Sequence, residues 1–149
     1  MERDSEVAME KYNEYKDSGV QWLGQIPSHW RLDTLRKYLK FVSIKNHPEK
    51  QLLSVTREQG VIVRDTESKE ENHNFIPDDL SGYKYVQPGD FCINKMKSWQ
   101  GSYGVSNYEG IVSPAYYICK LSGVYKPFFS TAIRSKAYIP FLNFYLLYT

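Results

Sequence analysis

Lys95, Lys97, Ser98, Trp99, Gln100 and Ser102 crowd one connection inside the run QPGDFCINKMKSWQGSYGVSNYEGIVSPAYYICK, from Gln87 to Lys120. Cations beside rings and amides suit a surface that reads nucleic acid. Ammonium groups neutralise phosphates, and forked or flat polar groups meet base edges. Lys95 and Lys97 can contact phosphates or guanine edges. Gln100 can pair bidentately with adenine, and Ser98 and Ser102 tolerate several partners. Trp99 either packs beneath the loop as an anchor, the favoured reading, or faces the nucleic acid. Gly101 and Gly104 permit close backbone approach or unusual φ angles. Arg57, between two predicted strands, is a further base or phosphate ligand, and Lys40 and Lys45 add cations. The competing reading of the loop is a structural β-connection held by Trp99, with its lysines solvated.

Catalytic chemistry has no comparable set. His29, His47 and His73 lie in separate polar contexts, and none has a Ser or Cys nucleophile in a strand–turn–helix setting. Asp78-Asp79 lacks metal-ligand company, and Gly101 and Gly104 lack the lysine pattern of a phosphate-binding loop. No enzyme is expected, nor a cofactor in this chain.

With 149 residues, the chain is long enough for one core and short for two. Aromatics make up 15%, with 13 tyrosines, a residue that buries its ring and keeps its hydroxyl wet. Such tyrosines suit a half-buried binding face, and equally a small β-rich core. Net charge is only +2, from 19 basic and 17 acidic residues, so global charge does not announce a nucleic-acid binder. Its distribution says more. Between positions 31 and 50, Arg31, Arg36, Lys37, Lys40, Lys45 and Lys50 face only Asp33 and Glu49. Acids gather at Glu67, Glu70, Glu71, Asp78 and Asp79. This separation either presents one positive face or reflects ordinary solvated surfaces. Cys92 and Cys119 sit in apolar, strand-like runs without metal-ligand spacing, as expected of buried reduced thiols in a cytoplasmic protein. Residues 1–14 form a polar leader without an apolar signal region, and no run is long enough for a membrane span.

The positioning elements follow from periodicity and punctuation. Gly19, Gly24 and Pro27 break the segment after Tyr15, which predicts no regular structure and leaves Trp22 and Trp30 pressed onto a core. Leu32, Leu35, Leu39 and Val42 recur at helical spacing, with Arg36, Lys37 and Lys40 on the other side. Gln51–Thr56 and Val61–Arg64 predict a hairpin, or two strands with a tight connection, through Arg57-Glu58-Gln59-Gly60. Residues 65–74 read as loop, and Ile76–Ser81 as a helical turn. Strands are predicted at Tyr83–Val86, Phe91–Asn94, Tyr103–Ser106, Ile111-Val112 and Ala115–Leu121. Lys126-Pro127 opens a helix through Ile133, and Tyr138–Leu147 forms a second. The expected class is α+β: a twisted, mostly antiparallel or mixed sheet core with short flanking helices.

Three blocks resemble the specificity subunits of type I restriction–modification systems. They are YKDSGVQWLGQIPSHWRLDTLRKYLK (15–40), LLSVTREQGVIVRD (52–65), and PGDFCINKMKSWQGSYGVS followed by YEGIVSPAYYI (88–118). The resemblance implies a fold like a DNA methylase specificity domain, a target recognition domain over residues 15–149. It implies sequence-specific recognition of double-stranded DNA, one half of a bipartite target read in the major groove. In that family, long helices join two such domains and dock methyltransferase subunits, which bind S-adenosylmethionine. A restriction and translocase subunit completes the complex, and the specificity subunit is not catalytic. The implied partners are duplex DNA, methyltransferase subunits, the restriction subunit and a second specificity half. The chain departs from the pattern by lacking the spacer helix and second domain, and is expected to be C-terminally incomplete. The alternative reading is a truncated subunit that serves as an assembly module with the methyltransferase, through the aromatic run Tyr138–Tyr148.

Overall fold

The computed structural model describes residues 11–67 and 76–136, and the chain divides into two units between Thr34 and Leu35. In the first, Tyr15–Asp17 (β1) pairs antiparallel with Gln25–Pro27 (β2). Asp17 Oδ1 accepts the Gly19 N–H at 2.7 Å, and Ser18 Oγ accepts that of Val20 at 3.1 Å. These short side-chain bonds close the turn and let its flanks pair. The expectation of no regular structure is therefore corrected. So is the expectation for the tryptophans: Trp22 and Trp30 are 41% and 46% exposed, while Ile26 and Pro27 are buried.

In the second unit, a 3-10 turn at Leu35–Tyr38 runs into Leu39–Val42 (β3). Leu53–Thr56 (β4), Gly60–Val63 (β5), Lys84–Val86 (β6) and Phe91–Asn94 (β7) follow. Then come Tyr103–Val105 (β8), Gly110–Val112 (β9), Tyr116–Leu121 (β10) and the helix Lys126–Ile133 (α1). A four-stranded sheet in the order β3-β10-β7-β8 is antiparallel throughout. The hairpin β4-β5 and the pair β6-β9 are also antiparallel, linked by a parallel bridge between Leu52 and Ile111. With one α-helix among the described residues, the class is α+β.

Side chains alternate across the central sheet, as strand geometry requires. Phe91, Ile93, Tyr103, Cys119 and Leu121 point to one face, where Phe129 and Ile133 of α1 cover them. Cys92 and Ile118 point to the other, against Leu53, Val55, Val61, Val86 and Val112. Phe91 is fully buried, edge-on to Tyr103 at 5.9 Å and to Phe129 at 5.2 Å between ring centroids. A core phenylalanine cut to alanine costs about 3–5 kcal/mol.

The helix expected over Leu32 to Val42 is replaced by the 3-10 turn and β3. Leu35 and Leu39 join the α1 side of the core, whereas Val42 packs on the opposite face. Four backbone register pairs with β10 decide the matter, a tertiary choice that outweighs a short helical pattern. Ile76–Ser81 forms no helical turn; Asp79 Oδ1 accepts the Ser81 N–H at 2.9 Å in a bend. The second helix expected at Tyr138–Leu147 lies outside the described residues, as does most of the loop expected at 65–74.

Candidate nucleic-acid interface

The connection from β7 to β8 carries most of the candidate ligands, and its backbone is tied to itself. Asn94 Oδ1 accepts the N–H groups of Met96 at 3.0 Å and Lys97 at 3.2 Å. Asn94 N–H donates to Ser102 O at 3.0 Å, and Ser102 N–H to Lys97 O at 3.2 Å. A single 3-10 turn, Ser98–Gln100, ends at Gly101 with φ +87°, a left-handed conformation that glycine adopts without a Cβ penalty. The loop is thus shaped before any partner arrives, which lowers the entropic cost of binding.

That shape sorts the candidates. Lys95 and Lys97 are exposed and Gln100 is half-buried. Trp99 is 56% exposed and Met96 is 75% exposed. Trp99 is therefore no anchor beneath the loop; the fully buried Tyr103 takes that place, donating its hydroxyl to Ile133 O at 2.8 Å. Burial pushes the Tyr103 hydroxyl up to about 12. Ser98 and Ser102 are only 3% exposed, so the expectation that their hydroxyls meet a ligand is corrected. They lie inside the bend that their neighbours' backbone bonds close.

Arg57 arrives from the hairpin. The Arg134 guanidinium donates to Tyr103 O and to Arg57 O, each at 2.6 Å. One side chain so fastens the β4-β5 turn to the strand that leaves the loop. Gly60 and Gly104 meet there, and a Cβ on Gly104 would sit 3.2 Å from Gly60 Cα. The Arg57 side chain stays exposed, with its Nη2 3.7 Å from Glu58. A surface pair this loose contributes about 0–1 kcal/mol and leaves the guanidinium available.

Lys45 and Lys40 part company. The register Val42–Ile118 and Asn94–Tyr116 puts the ends of β3 and β7 and the start of β10 at one end of the sheet. Lys45, just past β3, shares that end with the loop. Lys40 pairs with Lys120, four residues along β10 from Tyr116, or roughly 13 Å at strand rise. Lys120 is itself bound to Asp90 at 2.8 Å. Lys40 is thus not gathered with the other candidates.

A residue the sequence reading passed over lies at the loop's end of the sheet. Lys84, 9% exposed, donates to Tyr116 O at 2.7 Å. Its Nζ stands 5.7 Å from the Tyr117 ring centroid, and that of Lys95 stands 4.4 Å from the same ring. Burial first, then Lys95 and Lys45, hold Lys84 below the ordinary lysine range. The signal was period-two alternation: Lys84 shares the inward side of β6 with the core residue Val86. Of the histidines, His47 stacks on Tyr85 at 4.5 Å and His29 packs against Tyr12 at 5.3 Å; His73 lies outside the described residues. Neither the protein-family models nor the curated proteins contain a match to this chain.

Proposed function

We propose that this chain is a sequence-reading module for double-stranded DNA, a target recognition domain of the kind found in type I specificity subunits. The observation that carries the reading is the hydrogen-bonded loop after β7. It projects Lys95, Lys97 and Trp99 outward, while Arg134 fastens the Arg57 turn to Tyr103. Lysines supply sequence-independent attraction to phosphates, and Gln100 and Arg57 supply the forked groups that discriminate base edges. The module directs rather than performs chemistry. Methyltransferase subunits carrying S-adenosylmethionine, together with the restriction subunit, act at the site it selects. It reads one half of a bipartite target, with a second specificity half for the other.

The test is a duplex-binding titration at low salt, with and without the methyltransferase subunit. The expected result is binding that weakens steeply with salt and prefers one half-site from a randomised pool. If no duplex is retained even with that subunit present, the reading is wrong.

Exposed Tyr125 and Phe128 at the start of α1 favour a second reading, an assembly surface for the methyltransferase. Light scattering on the chain alone and mixed with that subunit decides it. A monomer indifferent to the subunit removes this reading.

A further inference from the structure

Three cations meet, and none of them is ion-paired with a carboxylate among the described residues. Lys95 follows β7 directly, and its N–H donates to Ala115 O at 3.1 Å. Its ammonium reaches Pro114 O at 3.3 Å and lies over the Tyr117 ring. Lys84 comes from β6 and spends one of its three N–H donors on Tyr116 O. Lys45 is steered in by its neighbours: Tyr85 N–H donates to Ile44 O at 2.7 Å, and Asn46 N–H donates to Ser81 O at 3.0 Å. Asn46 takes φ +67° to make that docking, a conformation asparagine tolerates better than most residues.

After burial, Lys95 and Lys45 are the charges that hold Lys84 below the ordinary lysine range. Among the described residues, the ion pairs of the basic side chains involve His47, Lys50, Arg57 and Lys120 and leave these three out. A lysine that keeps only 9% of its surface exposed, beside two like charges, is unfavourable alone. Such a grouping becomes favourable when a dianionic or monoanionic oxygen cluster arrives, because each donor then gains a charge-assisted hydrogen bond.

We propose that Lys45, Lys84 and Lys95, around the Tyr116–Tyr117 start of β10, hold one backbone phosphate of duplex DNA. The proposal rests on the DNA-reading function above and adds its register point. The phosphate seated here fixes where the loop after β7 falls along the groove. Lys84 is the central ligand, with Lys95 and Lys45 closing over the phosphate from the loop side and from the segment that follows β3. Phosphate contacts of this kind position a protein on DNA without reading sequence.

The experiment titrates the full chain against a fluorescein-labelled, mixed-sequence duplex across a series of potassium chloride concentrations. Lys84→Gln and Lys95→Gln are compared with wild type, and Lys50→Gln serves as control because Lys50 is engaged by Glu109 at 2.9 Å. The proposal expects each of the first two variants to weaken binding several-fold and to reduce the slope of log affinity against log salt by about one. The control should keep the wild-type slope. Circular dichroism melts establish that each variant is folded. If Lys84→Gln is not, the exposed Lys95→Gln alone decides. Wild-type binding with unchanged slopes in both lysine variants overturns the phosphate site and leaves the DNA reading standing. Absence of wild-type binding overturns both.

Discussion

Trp99 is the residue whose position most changes what the loop can do. A ring packed beneath a loop serves the fold, whereas a ring more than half exposed on a loop with two exposed lysines serves a partner. The two roles separate cleanly in a variant. Trp99→Ala is expected to leave the urea unfolding midpoint within about 0.5 kcal/mol of wild type, as an exposed substitution does. Duplex affinity is expected to fall measurably, because the ring no longer contributes apolar contact in the groove. A stability loss of about 3–5 kcal/mol would instead mark the ring as a buried anchor. Arg134 shows the converse case. Its guanidinium touches two backbone carbonyls, so a cation outside the loop shapes the site without belonging to its surface.

At the scale of elements, the β6-β9 pair is pinned by one acid. Glu109 accepts the Tyr85 hydroxyl and pairs with Lys50 at 2.9 Å, while its backbone oxygen accepts Gln51 Nε2 at 2.8 Å. The Tyr85 bond, then the Lys50 bond, holds the Glu109 carboxyl below its usual 4.5. A depressed acid stabilises the fold above its unfolded value and loses that contribution as pH falls through its folded value. Wild type is therefore expected to exceed Glu109→Gln in stability near neutral pH, and the gap is expected to close below about 4.5 in urea titrations. A gap independent of pH contradicts this. Next to it, Gly110 lets the strand approach Gln51: a Cβ there would stand 2.5 Å from Gln51 O and 2.6 Å from Leu53 Cγ. Gly110→Ala is expected to cost about 1–3 kcal/mol or more by overpacking, read as a lower urea midpoint. Local signals made some of these elements legible in the sequence. The Gly60 turn, the apolar run of Phe91–Asn94 and the Lys126-Pro127 helix start all stand where their residue types predict. Leu39–Val42 was not legible, because its pairing partner on β10 lies far along the chain. The site divides the same way. Exposed Lys95 and Lys97 follow from composition, whereas buried Ser98 depends on how the loop folds back.

At the scale of the whole second unit, two layers flank one sheet, and a cysteine of that sheet faces each. Cys119 faces α1 with Phe91 and Phe129, and Cys92 faces the hairpin with Val55 and Val61. Both thiols are fully buried, and burial pushes both up, Cys119 to about 12. A thiolate, not a thiol, attacks alkylating reagents, so neither should react while its layer is closed. Two such reporters on opposite faces show whether the layers part together. Arg134 and Tyr103 join α1, β8 and the β4-β5 turn through their mutual bonds, a linkage that favours one cooperative opening. Iodoacetamide labelling followed by mass spectrometry across a urea series is expected to give both cysteines the same opening free energy and the same urea dependence. Labelling of Cys119 at lower urea than Cys92 would show α1 leaving the sheet first. The hairpin that carries Arg57 would then remain seated on β8 without its Arg134 fastening, and the loop and the Arg57 turn would no longer act as one surface.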